Sequence, residues 1–207
     1  MAAPTTTDFT NFLAVIGVTA SGSAVLATIL ADATQEFEER TGRQKYEGDS
    51  ATTAVRYTLP WPQGKSVLLT IADCWTITEV RVDYSGAGTG TALTEWDDYV
   101  LRPTGYAQKS RPVEAIQFQN LPSTKAGSIL ITGKLGYASS MPSAVFEAIL
   151  CRASAMLIER QAGESGTITE EKNADRSVKY SSAEESTRNR LIATFNSAVS
   201  RYTKVAY

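Results

Sequence analysis

Trp75-Thr76-Ile77-Thr78-Glu79-Val80-Arg81-Val82-Asp83-Tyr84 alternates, with Trp75, Ile77 and then Val80, Val82 and Tyr84 as its apolar members. A period of two belongs to a half-buried strand. Upstream, Val55-Arg56-Tyr57-Thr58-Leu59 alternates, Pro60-Trp61-Pro62-Gln63-Gly64 breaks it as a turn, and residues 66–71 form a further run. Downstream, Gly86, Gly88 and Gly90 mark a loose hairpin loop, and runs follow at 99–101, 113–118 and 128–132. Short alternating runs punctuated by Gly and Pro predict an antiparallel sheet or small sandwich of about six strands.

On both sides the period changes to that of a helix. Residues 24–40 place Val25, Ile29, Ala33 and Phe37 at four-residue spacing, with Leu26 and Leu30 beside them. Ser23 is the expected N-cap, and Gly42 the expected left-handed residue after the last turn. Glu36, Glu38 and Glu39 sit at the carboxyl end, against the macrodipole, which calls for partners or solvent. From Pro142, Val145, Phe146, Ile149, Leu150, Ala153, Met156 and Leu157 form a broad apolar face that ends at Gly163. Residues 164–179 read as a polar loop or brief strand. Ser182-x-x-Glu185 matches a capping box and opens a last helix with Leu191, Phe195 and Val199 on its stripe and Ile192 and Tyr202 alongside. The fold class is therefore α+β: a small helical body of about three to four helices, residues 1–52 and 136–207, with an antiparallel β-rich insertion at 53–135.

Composition limits the function. The chain has 207 residues, 20 Lys+Arg, 22 Asp+Glu and a net charge of −2, so no global basic field exists for wrapping nucleic acid. It contains no histidine, which removes Ser-His and Cys-His nucleophile activation and His-ligated metals. Cys74 and Cys151 are too few and too far apart for a Cys₄ site or a Cys-x-x-Cys motif; they are expected to be two small half-buried residues, with a disulfide between them as the alternative. Residues 12–31 lack charge, but Thr19, Ser21, Gly22 and Ser23 interrupt them and no basic residue precedes Arg40. With Met1 retained, neither a membrane span nor a cleaved leader is expected.

Motifs with chemistry are scarce. Gly86-Ala87-Gly88-Thr89-Gly90 lacks both the spacing and the lysine of a phosphate loop. Glu95, Asp97 and Asp98 read as an acidic loop edge rather than a cation site. Gly163-Glu164-Ser165-Gly166 is not a nucleophile elbow, and no Ser-x-x-Lys occurs. No catalytic, cofactor or metal residues are expected, and the chain is read as a non-enzyme. Charge layout says more. Residues 1–39 carry Asp8, Asp32, Glu36, Glu38 and Glu39 and no basic residue, whereas residues 188–207 carry Arg188, Arg190, Arg201 and Lys204 and no acid. Such polarity favours complementary contacts, including head-to-tail association of copies. The aromatic, basic end from Tyr202 to Tyr207 reads as a docking element.

Three pieces resemble the head–tail adaptor (connector) family of long-tailed bacteriophages. Ala33-Thr34-Gln35-Glu36-Phe37-Glu38-Glu39-Arg40-Thr41-Gly42-Arg43 is similar to an opening helix ending in a Thr-Gly-Arg turn. Trp96-Asp97-Asp98-Tyr99-Val100-Leu101-Arg102-Pro103, with Ile129-Leu130-Ile131-Thr132-Gly133-Lys134-Leu135-Gly136-Tyr137, is similar to a strand ending in Gly-x-x-Gly-Tyr. Met141-Pro142 to Ala148 resembles the helix start that follows, and Ser177-Val178-Lys179-Tyr180-Ser181 adds a weaker likeness. The resemblance implies a structural protein of the virion neck, assembled in the host cytoplasm. It implies a ring, usually dodecameric, beneath the portal, extending the channel for double-stranded DNA without specific binding. The ring would offer a platform to a stopper, head-closure or tail-side neck protein. The family's C-terminal grip on the portal maps here to 182–207. Tyr202, Val205 and Tyr207 are the expected anchors, and Arg188, Arg201 and Lys204 the expected partners of portal acids. Ring contacts are expected on the β insertion and first helix. The alternative is a nucleic-acid-binding module using Arg188, Arg190, Arg201 and Lys204 on phosphates.

Overall fold

The computed structural model describes residues 1–43, 45–59, 66–107, 111–119, 127–164 and 182–204. The expected Pro60–Gly64 turn, the run at 177–181, Ser165, Val205 and Tyr207 lie outside the described residues. Among the described residues are four helices and a six-stranded antiparallel sheet, an α+β fold. The chain divides into two compact units, one built from Met1–Arg43 with Pro142–Lys204 and the other from residues 44–141.

The helical unit opens with α1 (Thr6–Ile16), a helix that the apolar run at residues 12–18 marks only in part. Its start is written in Thr5 and Asp8: the Thr5 hydroxyl accepts the Asp8 N–H at 3.2 Å, and the Asp8 carboxylate accepts the Thr5 N–H at 2.9 Å. Aspartate here fills the return position that glutamate usually takes in a capping box. Gly17 ends the helix at φ 73°. Helix α2 (Ser23–Thr41) buries Leu26, Ile29, Leu30, Ala33 and Phe37. Its N-cap is Gly22 rather than the expected Ser23, and no side chain caps it, because Ser23 already lies inside the first turn. Gly42 is left-handed, as its position predicts, with φ 66°.

Helix α3 (Ser143–Glu164) is the central element of this unit and lies against α1, α2 and α4. Its burial runs nearly all the way round, from Val145, Ala148 and Ile149 to Cys151, Ala155 and Ile158. The one fully buried hydroxyl on it, Ser154, is satisfied by the Leu150 carbonyl at 2.8 Å. Helix α4 (Ser182–Tyr202) buries Leu191, Phe195, Ala198, Val199 and Tyr202. Phe195 meets Phe37 edge-on with centroids 5.6 Å apart, and the Arg40 and Arg152 guanidinium groups stand over its ring at 5.1 and 6.0 Å. Burying such a ring contributes roughly 1.5–3 kcal/mol.

The second unit is the sheet. Strands β1 (Thr53–Tyr57), β2 (Val67–Val82), β4 (Tyr99–Arg102), β5 (Val113–Phe118) and β6 (Ile129–Leu135) lie in the order β1-β6-β2-β5-β4, and β3 (Thr91–Ala92) pairs with β2. The two expected runs at 66–71 and 75–84 are one sixteen-residue strand. Its first half pairs with β5 (Val67 opposite Phe118) and its second half with β6 (Val82 opposite Ile129). The core-facing residues are Val67, Leu69, Ile71, Cys74, Ile77, Val80 and Val82. The steps 71→74→77→80 are three residues long instead of two, and register shifts fall between Thr70 and Cys74, between Cys74 and Thr76, and between Ile77 and Glu79. Each extra residue is a bulge that bends the strand while keeping the apolar face inward. Trp75 is thereby turned to the other face, where the Lys134 ammonium stands 5.1 Å from its ring. Tyr84 lies beyond the strand and is exposed.

The Gly-x-x-Gly-Tyr element has a packing cause. A side chain at Gly133 would meet the Thr76 carbonyl at 2.5 Å and the Cys74 sulfur at 2.7 Å. Gly136, at φ 114°, passes so close to Gly48 that an added Cβ would lie 2.6 Å from its Cα. Tyr137 is buried against Tyr46.

Candidate functional site

The features that bear on function in the helical unit are surfaces. On α2, Ala27, Leu30, Ala31, Thr34, Gln35 and Glu38 line a shallow open groove that Pro4 and Thr6 border. Burial raises the Glu38 carboxyl above its ordinary range. Asp32 and Glu39 are exposed beside it, and the Glu39 carboxylate accepts the Gln35 side-chain N–H at 2.8 Å. On α4, Arg190, Ala193, Thr194, Ser197, Ala198 and Arg201 line a second groove, closed by Ala144 and Glu147 of α3. Arg190 and Arg201 are exposed.

Of the six expected docking residues, Arg188, Arg201, Tyr202 and Lys204 are described, and their surroundings differ. Arg188 is held by Glu159 of α3 through its Nε and a terminal nitrogen, both at 2.8 Å. Arg201 stacks its guanidinium 5.6 Å from the Tyr202 ring. Tyr202 is only 7% exposed and continues the buried stripe of Phe195 and Val199. Lys204 is half-buried and its backbone N–H donates to the Thr41 carbonyl at 2.8 Å. Of the basic residues that the nucleic-acid reading used, Arg190 and Arg201 present exposed charge and Arg188 is engaged.

Three contacts escape the sequence reading. Glu36 of the carboxyl-end acid cluster accepts Arg152 Nε at 2.7 Å, Glu159 takes Arg188, and Arg43 is buried at the end of α2. For Arg43 a signal existed, the Thr41-Gly42-Arg43 turn. The other two join helices far apart in the chain and leave no local trace.

In the sheet unit the Gly86–Gly88 loop carries its own anion. The Asp83 side chain, 1% exposed, accepts the Arg56 guanidinium at 2.7 Å. It also accepts the Ser85 hydroxyl at 2.7 Å and the backbone N–H groups of Ser85, Gly86 and Gly88 at 3.0, 3.1 and 2.7 Å. These donors hold the Asp83 carboxyl well below the usual carboxylate range, Arg56 most of all. The backbone donors that a phosphate would need are thus occupied from within. In the acidic edge, Asp98 accepts the Thr94 N–H at 2.8 Å and so closes a turn. Among the described residues no group of three or more Asp, Glu or Cys is placed to hold a metal ion. Cys74 and Cys151 are free and buried, and burial pushes each thiol up to about 11. Trp96 stands out on this unit at 65% exposed with φ 77°.

These features define a class: an α+β protein with a helical unit of grooved, charge-segregated faces and a bulged antiparallel sheet. No family model matches the chain, and no curated protein does. Among solved structures, it is similar to a chain of one described as "Neck of empty GTA particle computed with C6 symmetry", where GTA is a gene transfer agent. The TM-score is 0.53 at 17% identity, and the match covers 99% of this chain and 91% of that one. At that identity the likeness defines the fold. No described helix is long and apolar enough to cross a membrane.

Proposed function

We propose that this protein is a structural component of a phage-like neck, a head–tail adaptor that forms a ring, joins the portal to the next neck component and extends the DNA channel. The observation that carries the reading is the shared fold over nearly the full length of both chains with a protein from a particle neck. The sequence resemblance to adaptors reaches the same class from separate features, the Thr-Gly-Arg turn and the Gly-x-x-Gly-Tyr strand end.

Physical chemistry supports a role without bond-making. The chain has no histidine, its two thiols are buried with raised pKa, and its most perturbed carboxylate is saturated by donors. A slight acidic surplus suits a channel wall, because released counterions would otherwise make DNA adhere. Lys204 and residues 205–207 are proposed to engage the portal, with Tyr202 holding the end of α4 in place from inside.

Deleting the gene from a producing genome tests the reading. Heads and tails are expected to accumulate unjoined, and joined particles assembled without the protein would overturn it. The docking assignment has its own test: removal of residues 204–207 is expected to abolish co-sedimentation with portal-bearing heads. Undiminished binding would place the grip elsewhere.

A further inference from the structure

The two grooves of the helical unit are written on the same helical ruler. On α2 the lining residues are 27, 30, 31, 34, 35 and 38; on α4 they are 190, 193, 194, 197, 198 and 201. Both sets advance by three, one, three, one and three, so each is a single face of about three turns, roughly 16 Å long. Between its two arginines the α4 face is lined by Ala193, Thr194, Ser197 and Ala198, and Ala27, Ala31 and Thr34 make up half of the α2 face; small side chains permit close approach of two helices.

Their charges are opposite. The α2 face bears Glu38, with exposed Asp32 and Glu39 along its edge, and none of these three pairs with a cation among the described residues. Arg40, the nearest cation on the same helix, is turned to Glu36 and the Phe195 ring. The α4 face is bounded at its two ends by Arg190 and Arg201, neither of which has an acidic partner among the described residues. Glu147 on the α3 side of that groove offsets one of the two positive charges and leaves the face net basic. Two unpaired arginines at the ends of a groove of small residues call for an acidic helix. This molecule displays one on a different face.

We propose that the occupant is a second copy of this chain: the α2 face of one protomer seats in the α3–α4 groove of the next. The two patches differ, so the contact is heterologous, and its repetition closes a ring or runs on as a filament. The inference deepens the adaptor reading and rests on it for the ring. It also moves the copy-to-copy contact from the β insertion, where the sequence expectation put part of it, to the helical unit.

A charge swap tests it on the full chain by light scattering across concentration and salt. Wild type is expected to self-associate at low salt and to weaken as exposed charges are screened. Arg190→Glu with Arg201→Glu is expected to weaken association at least about tenfold, and so is Glu38→Lys with Glu39→Lys. An equimolar mixture of the two variants restores it, since each supplies the face the other complements. That rescue excludes misfolding as the cause of the loss. A wild type that stays monomeric throughout, variants that associate like wild type, or a mixture that stays apart overturns the contact. Those outcomes leave the neck reading intact, which stands or falls on the gene deletion.

Discussion

Arg43 donates its Nε–H to the backbone carbonyl of Tyr202 across 2.6 Å, joining residues 159 apart in sequence. Arg43 is 6% exposed, and its partner lies at the carboxyl end of α4, where unpaired carbonyls concentrate negative potential. The Lys204 N–H returns to the Thr41 carbonyl in the same place, so the Thr-Gly-Arg turn clamps the last described residues of the chain. All three residues of the turn contribute. The Thr41 hydroxyl bonds the Phe37 carbonyl at 2.7 Å, Gly42 supplies the left-handed step, and Arg43 reaches α4.

Replacing Arg43 by Met keeps the aliphatic stem and removes the donor. The loss of a charge-assisted bond from a buried carbonyl is expected to cost about 1.5–3 kcal/mol. Hydrogen exchange should rise first at the end of α4, ahead of any change in α3. Unaltered exchange there would show that the clamp contributes nothing.

Gly133→Ala forces a methyl into the Thr76 carbonyl and the Cys74 sulfur, which the bulged β2 holds in place. Overpacking of this kind costs about 1–3 kcal/mol. Urea unfolding should show a lower midpoint at unchanged slope. An unshifted midpoint would mean that β2 and β6 are free to separate.

Asp83→Asn puts amide hydrogens where Arg56, Ser85, Gly86 and Gly88 already donate, and is expected to lower Tm at neutral pH. The folded Asp83 pKa is depressed, so its stabilisation is full above the unfolded value of about 3.9 and fades as pH falls below it. The Tm gap between wild type and variant should therefore be constant from pH 7 to about 5 and narrow under acid. A gap that widened as pH fell would contradict the assignment.

Cys74 and Cys151 are buried, and burial holds both thiols near 11. At pH 8 an alkylating reagent is expected to label neither in the native chain and both in denaturant, because thiolate is scarce and access is blocked. Intact-mass measurement over time reads this directly. Native labelling as fast as that in denaturant would show that the two sites open.

Local sequence alone determined most element types, α1 (Thr6–Ile16) excepted. Gly42 ends α2 because only a residue without Cβ adopts its backbone freely, and the stripe Leu26–Phe37 forms a face at any tertiary address. The period of two through Thr53–Tyr57, Val113–Phe118 and Ile129–Leu135 placed the sheet. Even the phase slip from Ile77 to Val80 was visible, although its meaning as a bulge needed the register against β6. Tertiary structure decided the rest: that β2 is one strand shared between β5 and β6, that Glu36 has Arg152 as its partner 116 residues away, and that Tyr202 faces inward. It also set the acidic and basic grooves on separate faces of one helical unit. Periodicity reports which way a side chain points relative to its own helix or strand; which element covers it depends on loop closures whose ends carry no record of each other.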